Sequence, residues 1–563
     1  MAAPALVPGS VASPTIGLPR RDVAWASLVD ARVDVLVVGG GITGAGVARD
    51  AAMRGLRTAL VERDDWASGT SSRSSRLVHG GVRYLEHGHL HLVFEASRER
   101  RTLLRLAPHL VRPLRFTWPV YAGARVPRWK LRAGLAVYDA LALFRNVGAA
   151  RGLSRAAIVA EEPALRREGL VGGAQYWDAG TDDVRLTLAN VVAAAEAGAT
   201  VCNHVTLAAV AHDAKGRIVA AQLRDMVTGE TCTVAPRAIV NATGPWSDAT
   251  RTLDDGVAHA GVLGSKGVHI AVPRERAPVR GAVTILHPDD QRVLFLLPSP
   301  VHTLIGTTET PADAGPDAVR ATHDDVAYLL RAANHHLPDA SLAPGDVISA
   351  WAGLRPLVAP RAGTAANDAS REHHIDASAS GLVTITGGKL TTYRSMAAEV
   401  VDAVERTLGR TRLVASLTAD APLPGSDDAP AALDAAARAA GAPPDVAAHL
   451  VRAHGARWRL PWGLATREAS LAERLDPTLP YLRAEVVWAA AAEGAWTVAD
   501  VLVRRIPVAY ERRDAGRALA PDVAELLARV HDWDDASRQA AITQYARDSE
   551  RLFAVVPQGG STT

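Results

Sequence analysis

Residues 33–62 read VDVLVVGGGITGAGVARDAAMRGLRTALVE, and this stretch decides the fold. A β-branched apolar run leads into a glycine turn, an alanine-rich segment and a second apolar run that ends at Glu62. The pattern predicts a strand, a helix and a second, parallel strand. Within the turn, Gly39, Gly41 and Gly44 have the spacing of a dinucleotide-binding fingerprint.

The glycines and the terminal acid indicate what this turn binds. Gly39 permits a tight turn, Gly41 allows the backbone to approach a pyrophosphate, and Gly44 allows the helix to pack closely on the strand. The helix N-terminus offers N–H groups and partial positive charge to phosphates. Glu62 is placed to accept hydrogen bonds from a ribose. Together these features predict a dinucleotide cofactor.

The composition excludes other classes of protein. The 563 residues include 62 Lys and Arg against 60 Asp and Glu, so the net charge is +2 and nucleic acid is not an expected partner. The two cysteines, Cys202 and Cys232, make no disulfide framework, which favours a reducing, cytoplasmic location. The sequence predicts neither an export signal nor an apolar stretch long enough to cross a membrane.

A hydroxyl-rich loop follows the second strand. Residues 68–86 read SGTSSRSSRLVHGGVRYLE. The hydroxyls can bind phosphate and ribityl oxygens, and the paired glycines suit a backbone that lies against a flat ring. This string resembles the flavin-binding segment of the FAD-dependent glycerol-3-phosphate dehydrogenase family, within the D-amino-acid-oxidase-like flavoproteins.

Further motifs match that family in the same order along about residues 30–540. They are 176–178 with 182–186, 241–246, 266–270, 305–310, 353–357 and 387–394. The resemblance implies FAD-dependent oxidation of sn-glycerol 3-phosphate at C2 to dihydroxyacetone phosphate, with hydride transfer to flavin N5 and a quinone as the electron acceptor. Non-covalent FAD is expected, because no Cys or His lies in a recognisable attachment context.

The resemblance also implies which residues contact FAD. Val205 would offer its backbone to adenine, and Lys389, with the helix after it, would stabilise negative charge on the reduced flavin. The expected cofactor-binding residues are Gly39, Gly41, Gly44, Glu62, Thr70, Ser71, Ser72, His79, Gly80, Val205, Ala242, Gly244, Gly388, Lys389, Leu390 and Thr391.

Phosphate and hydroxyl chemistry constrain the substrate site. The resemblance implies that Arg83 and Arg355 face the substrate, with Tyr84 nearby, and a guanidinium group matches the oxygens of a phosphate. Either His79 or His269 can take the hydroxyl proton. We expect His269 to face the substrate and His79 the flavin, although the residues alone leave both open. The expected substrate-binding set is Arg83, Tyr84, His269 and Arg355, and the expected catalytic set is His269, Arg83, Arg355, Lys389 and His79. No metal site is expected.

The expected fold class is α/β + α. It comprises a Rossmann-like FAD-binding domain, an antiparallel-sheet substrate domain and a C-terminal helical domain. The predicted regions are a disordered N-terminal arm (1–29), a discontinuous FAD-binding domain (30–105, 180–250 and 350–412), a substrate or cap domain (106–179 and 251–349), a helical domain (413–553) and a disordered tail (554–563).

Surface, assembly and electron acceptor are less constrained by the sequence. Residues 125–132, RVPRWKLR, precede the apolar segment 133–144. This segment fits a helix resting on anionic lipid at the inner face of the cell membrane, and equally a helix packed on the protein. Oligomers are compatible with the sequence. The alternatives to the dehydrogenase are an oxygen-using glycerol-3-phosphate oxidase, another amine or hydroxy-acid oxidase of the superfamily, and, less favoured, a non-enzymatic flavin redox sensor.

Overall fold

A computed structural model of the chain describes residues 16–82, 89–143, 146–312, 315–358 and 372–557. The strands in these ranges are β1 (Arg32–Val38), β2 (Thr58–Glu62), β3 (Leu77–Val78), β4 (Val111–Tyr121), β5 (Arg151–Leu153), β6 (Leu170–Thr181), β7 (Thr200–Asn203), β8 (Val205–His212), β9 (Ile218–Asp225), β10 (Thr231–Asn241), β11 (Val262–Pro273), β12 (Ala282–Leu286), β13 (Val293–Pro298), β14 (His302–Gly306), β15 (Thr310–Pro311), β16 (Ala321–Thr322), β17 (Ser349–Val358), β18 (His374–Ala377), β19 (Leu382–Thr386) and β20 (Val555–Val556).

The helices alternate with the strands first and then follow one another without strands. They are α1 (Arg21–Ala26), α2 (Ile42–Met53), α3 (Leu90–Leu106), α4 (Arg128–Leu141), α5 (Arg155–Glu161), α6 (Asp183–Glu196), α7 (Ser247–Asp255), α8 (His323–His336), α9 (Tyr393–Thr407), α10 (Pro430–Ala439), α11 (Pro444–His454), α12 (Arg459–Arg467), α13 (Arg483–Ala492), α14 (Val508–Glu511), α15 (Ala520–His531) and α16 (Asp535–Phe553).

The first sheet has the strand order β18-β19-β10-β1-β2-β7, in which β19, β10, β1, β2 and β7 are parallel. Its central strand β1 is buried on both faces, as expected for a β-branched run in a parallel sheet. Val35 and Val37 pack under α2, α6 and α9, whereas Leu36 and Val38 face β8, β9 and α1. This doubly covered sheet brings the carboxyl ends of β1, β10 and β19 to one edge, where open α/β sheets bind ligands.

The second sheet has the order β15-β11-β14-β13-β12-β4-β6-β3, with β17 on β11 and β5 on β6. Its pairs are antiparallel, apart from β12 and β4. One face packs on α8 and α5, and the other contributes Leu304 and Trp351 to the core of the C-terminal helices. The expected fold class, a Rossmann-like domain with an antiparallel-sheet domain and a helical domain, is confirmed.

Two strands cross the expected domain boundaries. Residues 350–358 were assigned to the FAD-binding domain, but β17 pairs with β11 over its whole length in the second sheet. Likewise β3 pairs with β6, so residues 77–78 belong to the second sheet rather than to the first. The partner strand of β17 lies about 85 residues earlier in the chain, and local sequence does not specify such a long-range pairing.

The prediction of disorder at the termini is wrong for the described residues there. Residues 16–29 contain α1, because Arg21 forms a buried ion pair with Asp225 at 2.7 Å, and Leu18 is buried and donates its N–H to the Ala492 carbonyl. At the other end, β20 pairs in parallel with β16, so residues 554–557 are ordered. Residues 1–15 and 558–563 lie outside the described residues. Among the described helices, none is long and apolar enough to span a membrane.

Candidate active site

The glycine turn joins β1 to the N-terminus of α2, at the carboxyl edge of the first sheet. Gly39 has φ +110°, and a Cβ there would lie 2.6 Å from the carbonyl oxygen of Ala242. A Cβ on Gly44 would overlap the Gly39 carbonyl oxygen. Glycine is therefore required at both positions, because the turn packs closely on the residues that follow β10 and on the start of α2. Ser71 closes one side of the turn, since its Oγ accepts the Ile42 N–H at 2.9 Å.

Glu62, at the end of β2, lies beside this turn. Its carboxylate accepts N–H groups from Gly40 at 2.6 Å and from Asp64 at 2.9 Å. Burial raises the pKa of this carboxyl, and these two hydrogen bonds oppose the shift. These backbone contacts fix the carboxylate at the carboxyl end of β2, beside the glycine turn.

Most of the predicted cofactor residues form two groups by position, and two residues belong to neither group. One group lies along the strand edge of the first sheet: Gly39, Gly41, Gly44, Glu62, Val205, Ala242 and Gly244. The other lines a cavity of about 580 Å³ between the two sheets: Thr70, Ser71, His79, Gly388, Lys389, Leu390 and Thr391. Ser72 and Gly80 lie behind the cavity wall, where the Ser72 hydroxyl donates to the Gly69 carbonyl and the Gly80 N–H to Asp178.

His269, on β11, lines this cavity and is almost fully buried. Its Nε2 is hydrogen-bonded to Ser75 Oγ at 3.0 Å, and its ring stacks on Trp351 at 5.8 Å between centroids. Burial lowers the pKa of His269 to about 3, helped by the positive charges of Arg355 and Arg76. The imidazole is therefore neutral at physiological pH and keeps a nitrogen lone pair that can accept a proton.

Arg355, on the neighbouring strand β17, lines the same cavity. Its guanidinium donates to Thr307 Oγ1 at 3.3 Å and to the Thr308 carbonyl at 3.4 Å. Gly267 faces it on β11, where a Cβ would come within 2.8 Å of Arg355 Nη2. The strand pair thus presents a neutral histidine and a guanidinium on one cavity wall.

His79 and Lys389 lie on the segments that close the cavity on the side of the first sheet. The two segments are joined at Thr391, whose Oγ1 accepts the His79 N–H at 3.1 Å and donates to the His79 carbonyl at 3.2 Å. Lys389 directly precedes a 3-10 turn whose residues Leu390 and Thr391 also line the cavity, and α9 begins at Tyr393 after that turn. The predicted substrate residues Arg83 and Tyr84 lie outside the described residues.

Some residues of the site were not singled out from the sequence. Ser75 was quoted only as part of a polar loop, and Asp178 only as part of a matching motif. Asp178 accepts the Gly80 N–H at 3.0 Å and the Tyr138 hydroxyl at 2.7 Å, and it forms a buried ion pair with Arg100. The spacing of Leu131, Leu135 and Tyr138 marks the buried face of α4 and was the available signal for Tyr138.

One cluster of acids and a histidine lies where the first sheet meets the C-terminal helices: Asp65, His204 and Asp500. Arg504 donates to Asp65 at 2.6 Å and to Asp500 at 2.6 Å, and Arg505 donates to Asp65 at 2.7 Å. The carboxylates are thus balanced by two guanidinium groups. This cluster is therefore a buried ion-pair network between domains.

Comparison with known proteins agrees with this architecture. Residues 34–394 match the FAD dependent oxidoreductase family, and residues 416–538 match the C-terminal domain of alpha-glycerophosphate oxidase. The chain is 37% identical over 538 residues to glycerol-3-phosphate dehydrogenase 2 of Mycobacterium tuberculosis, covering 94% of this chain and 90% of that protein. It is 35% identical over 543 residues to the mitochondrial glycerol-3-phosphate dehydrogenase of Homo sapiens, covering 92% and 74% respectively.

The fold is also similar to that of a solved relative. The glycerol-3-phosphate dehydrogenase from Bacillus halodurans, complexed with FAD, superposes with a TM-score of 0.80 at 30% identity. The match covers 97% of this chain and 100% of that chain.

The residues present fit FAD as the cofactor. The N-cap of α2 is Gly41, which has no side chain to cover the helix N-terminus, and Glu62 lies beside the turn. Ile42 and Ser71, at the same helix end, also line the cavity, so the cavity extends from the phosphate site to His269. Together with the sequence identity over most of the chain, these features show that the protein belongs to the FAD-dependent glycerol-3-phosphate dehydrogenase family.

Proposed function

We propose that the protein oxidises sn-glycerol 3-phosphate to dihydroxyacetone phosphate at this cavity. The observation that carries the proposal is the pairing of a neutral, buried His269 with Arg355 on adjacent strands, facing the flavin-side residues His79 and Lys389. Glycerol 3-phosphate carries its phosphate on C3 and a free secondary hydroxyl on C2, so it needs a cation at one end and a proton acceptor at the other. The strand pair offers both.

Arg355 would bind the phosphate. Its planar guanidinium presents paired N–H donors that match phosphate oxygens, and Gly267 leaves room in front of it. The contacts with Thr307 and Thr308, at 3.3–3.5 Å, hold the guanidinium against the wall. Arg83 and Tyr84 remain proposed partners of the same phosphate, on the family resemblance.

His269 would accept the proton of the C2 hydroxyl. The neutral ring needs no prior deprotonation, and Ser75 and Trp351 fix its plane. When bound, FAD supplies the acceptor, at flavin N5, for the hydride that leaves C2. Lys389 and the N-terminus of α9 place positive charge on the opposite wall, where they stabilise negative charge on the ligands. His79 would contact the flavin, because its backbone is tied to Thr391 on the flavin side of the cavity.

The acceptor for the electrons would be a quinone. One wall of the cavity is mainly apolar: α4 supplies Leu131, Ala133, Gly134, Leu135 and Val137 to it, with Lys130 near the helix N-terminus. Such a wall suits a flat apolar ring better than a charged acceptor. The chemistry of this wall therefore favours a lipid-soluble electron acceptor.

The same helix would rest on a membrane surface. Trp129 is 73% exposed, and Val137 of α4 and Leu90 and Phe94 of the adjoining α3 are also exposed. Exposed cations accompany these apolar side chains on α4: Arg128, Lys130 and Arg132. This mixture is typical of interfacial helices on anionic lipid. Co-sedimentation with anionic vesicles should be lost in Trp129→Glu and kept in Val219→Glu, an exposed apolar site on β9. Equal binding by the two variants would contradict the assignment.

A turnover assay separates the acceptors. FAD-loaded protein is supplied with glycerol 3-phosphate and, in parallel, with a short-chain quinone under nitrogen or with oxygen alone. Quinone-dependent turnover with little hydrogen peroxide supports the proposal. Rapid peroxide formation would instead favour an oxygen-using oxidase, which residues 416–538 keep as the second candidate through their match to an oxidase domain. No turnover with any acceptor would contradict both.

A further inference from the structure

Ser75, whose side chain is hydrogen-bonded to His269, belongs to a loop whose conformation is fixed by contacts outside the cavity. Ser75 Oγ bonds to His269 Nε2 at 3.0 Å, and its neighbours Ser74 and Arg76 decide where Ser75 lies. Arg76 has φ +55°, a left-handed conformation that is unfavourable for a non-glycine residue. The loop therefore needs contacts that hold residues 74 and 76 on either side of Ser75.

Asp183 supplies the contact for residue 74. It lies in the first turn of α6, is 1% exposed, and accepts both the Ser74 hydroxyl at 2.7 Å and the Ser74 N–H at 3.2 Å on one carboxylate oxygen. Ser74 Oγ in turn accepts the Arg76 N–H at 3.0 Å. The Arg76 carbonyl accepts the Thr181 N–H at 2.9 Å, so both ends of the three-residue loop are tied down.

Asp183 also acts electrostatically on Arg76, because its negative charge raises the pKa of that guanidinium. The Arg76 guanidinium lies 4.9 Å from the Tyr510 ring and 6.0 Å from the Trp351 ring, on which His269 stacks. Arg76 and Arg355 both lower the pKa of His269. The other charged groups that act on Arg76 are Asp182 and Glu511.

The charge on Asp183 is itself sensitive to pH. Burial raises the pKa of Asp183 to about 6, Asp182 adds to the rise, and Arg76 and the Ser74 bonds oppose it. Its negative charge is therefore present at neutral pH and is lost as the pH falls through about 6. Protonation at acidic pH would leave Arg76 less compensated beside His269.

We propose that Asp183 is a positioning residue for His269: through Ser74 it fixes Ser75 against the imidazole, and its charge balances Arg76. The inference rests on the proposed function, in which His269 takes the hydroxyl proton. Asp183 does not line the cavity among the described residues, so its effect on the reaction passes through the loop. Its loss should lower the rate of flavin reduction and leave the affinity for glycerol 3-phosphate nearly unchanged.

The test compares D183N with D535N, a matched change of a first-turn aspartate on α16. The Asp535 side chain is exposed and does not line the cavity among the described residues. FAD-loaded proteins are mixed anaerobically with glycerol 3-phosphate from pH 5 to pH 8. D183N should reduce its flavin at least about tenfold more slowly at neutral pH, with KM changed less than about threefold, and D535N should stay within about twofold of wild type.

The pH profile distinguishes positioning from a general loss of structure. At saturating glycerol 3-phosphate, where ionisation of the free substrate's phosphate no longer affects the rate, flavin reduction in wild type should slow below about pH 6 as Asp183 gains a proton. D183N has no carboxylate to protonate there and should lack this acidic limb. Should D183N fail to bind FAD, S74A replaces it: that variant removes only the linking hydroxyl and should slow flavin reduction several-fold at unchanged KM.

The outcomes separate the two proposals. A wild-type protein whose flavin is not bleached by glycerol 3-phosphate overturns the proposed function, and the role of Asp183 in it falls as well. If glycerol 3-phosphate bleaches the wild-type flavin but D183N reduces its flavin at the wild-type rate, only the role of Asp183 is overturned. The same holds if the pH profile of D183N keeps the acidic limb. An S74A variant at the wild-type rate would also overturn only that role.

Discussion

Ser75 Oγ and His269 Nε2 lie 3.0 Å apart although 194 residues separate them in the chain. The bond joins the loop that follows β2 of the first sheet to β11 of the second sheet. It therefore orients the proposed base relative to the segments that hold the flavin, and the chemistry depends on how the two sheets are docked.

Replacing the base should stop the reductive half-reaction. His269→Asn is expected to slow anaerobic flavin reduction by about 10²–10⁴-fold, the range for loss of a general base. Ser75→Ala keeps the imidazole and removes its partner, so its loss should be smaller, about tenfold. Rapid mixing at saturating glycerol 3-phosphate measures both, and flavin absorbance of the resting proteins shows that FAD is retained. A His269→Asn protein with the wild-type rate would refute the assignment of the base.

Arg355→Ala should separate phosphate binding from alcohol oxidation. The variant loses the guanidinium that faces the cavity, so KM for glycerol 3-phosphate should rise by about 100-fold, while the slow turnover of unphosphorylated glycerol should change little. Arg355→Lys keeps the charge without the paired donors, so its KM for glycerol 3-phosphate should lie between those of wild type and Arg355→Ala. Steady-state assays with both substrates provide the comparison. Equal losses for glycerol and its phosphate would show that Arg355 does not bind phosphate.

Buried histidines should make the protein sensitive to acid. Burial lowers the pKa of His109, His269 and His302 to about 3. An unfolded histidine takes up its proton near pH 6.5, so between about pH 3 and 6.5 the unfolded state binds more protons and stability falls as the pH is lowered. Each such histidine should remove about 2 kcal/mol from the free energy of unfolding at pH 5.

His302→Gln tests this dependence, because glutamine does not titrate and His302 lies outside the cavity lining. Denaturant unfolding at pH 7 and pH 5 should show a smaller loss of stability for the variant than for wild type, by about 2 kcal/mol. The same loss in both proteins would mean that His302 is already protonated in the folded state at pH 5.

The apolar wall of α4 should control access of the electron acceptor. Gly134 lines the cavity, and a Cβ there meets no atom within 4 Å, so Gly134→Phe can place a ring at this wall without displacing the core. Reoxidation of the reduced flavin by a short-chain quinone should slow about tenfold or more, with bleaching by glycerol 3-phosphate unchanged. Ala136→Phe, on the exposed side of the same helix, is the control. Equal quinone kinetics in the two variants would place the acceptor elsewhere.

The sequence predicts those strands and helices that are marked by apolar periodicity and turn residues within the segment itself. The period of the apolar residues and the Gly39–Gly44 turn are sufficient for β1, α2 and β2, and alternating runs with turn residues between them are sufficient for β12, β13 and β14. Membership of β17 in the second sheet was missed because strand pairing with β11 is a long-range choice. The helix α1 was missed because its anchor, Arg21 on Asp225, spans 204 residues.

The site shows the same division. His269 and Arg355 are predicted from residue type within motifs that match the family, and both line the cavity. Their proposed roles, proton transfer and phosphate binding, call for those side chains. Ser75 and Asp183 carry no such signal: serine and aspartate are common in loops and helix caps, and their contacts appear only when β11 and α6 are packed around the loop. Residues that position others are defined by tertiary structure, whereas residues that react are marked by their chemistry.

Every role proposed above depends on hydride transfer from glycerol 3-phosphate to FAD at this cavity. Anaerobic mixing of FAD-loaded protein with sn-glycerol 3-phosphate, followed by absorbance near the flavin band, tests this transfer in a single turnover. We expect rapid bleaching with the phosphorylated substrate, and much slower bleaching with glycerol at the same concentration. A flavin that stays oxidised in the presence of glycerol 3-phosphate would refute the proposed reaction.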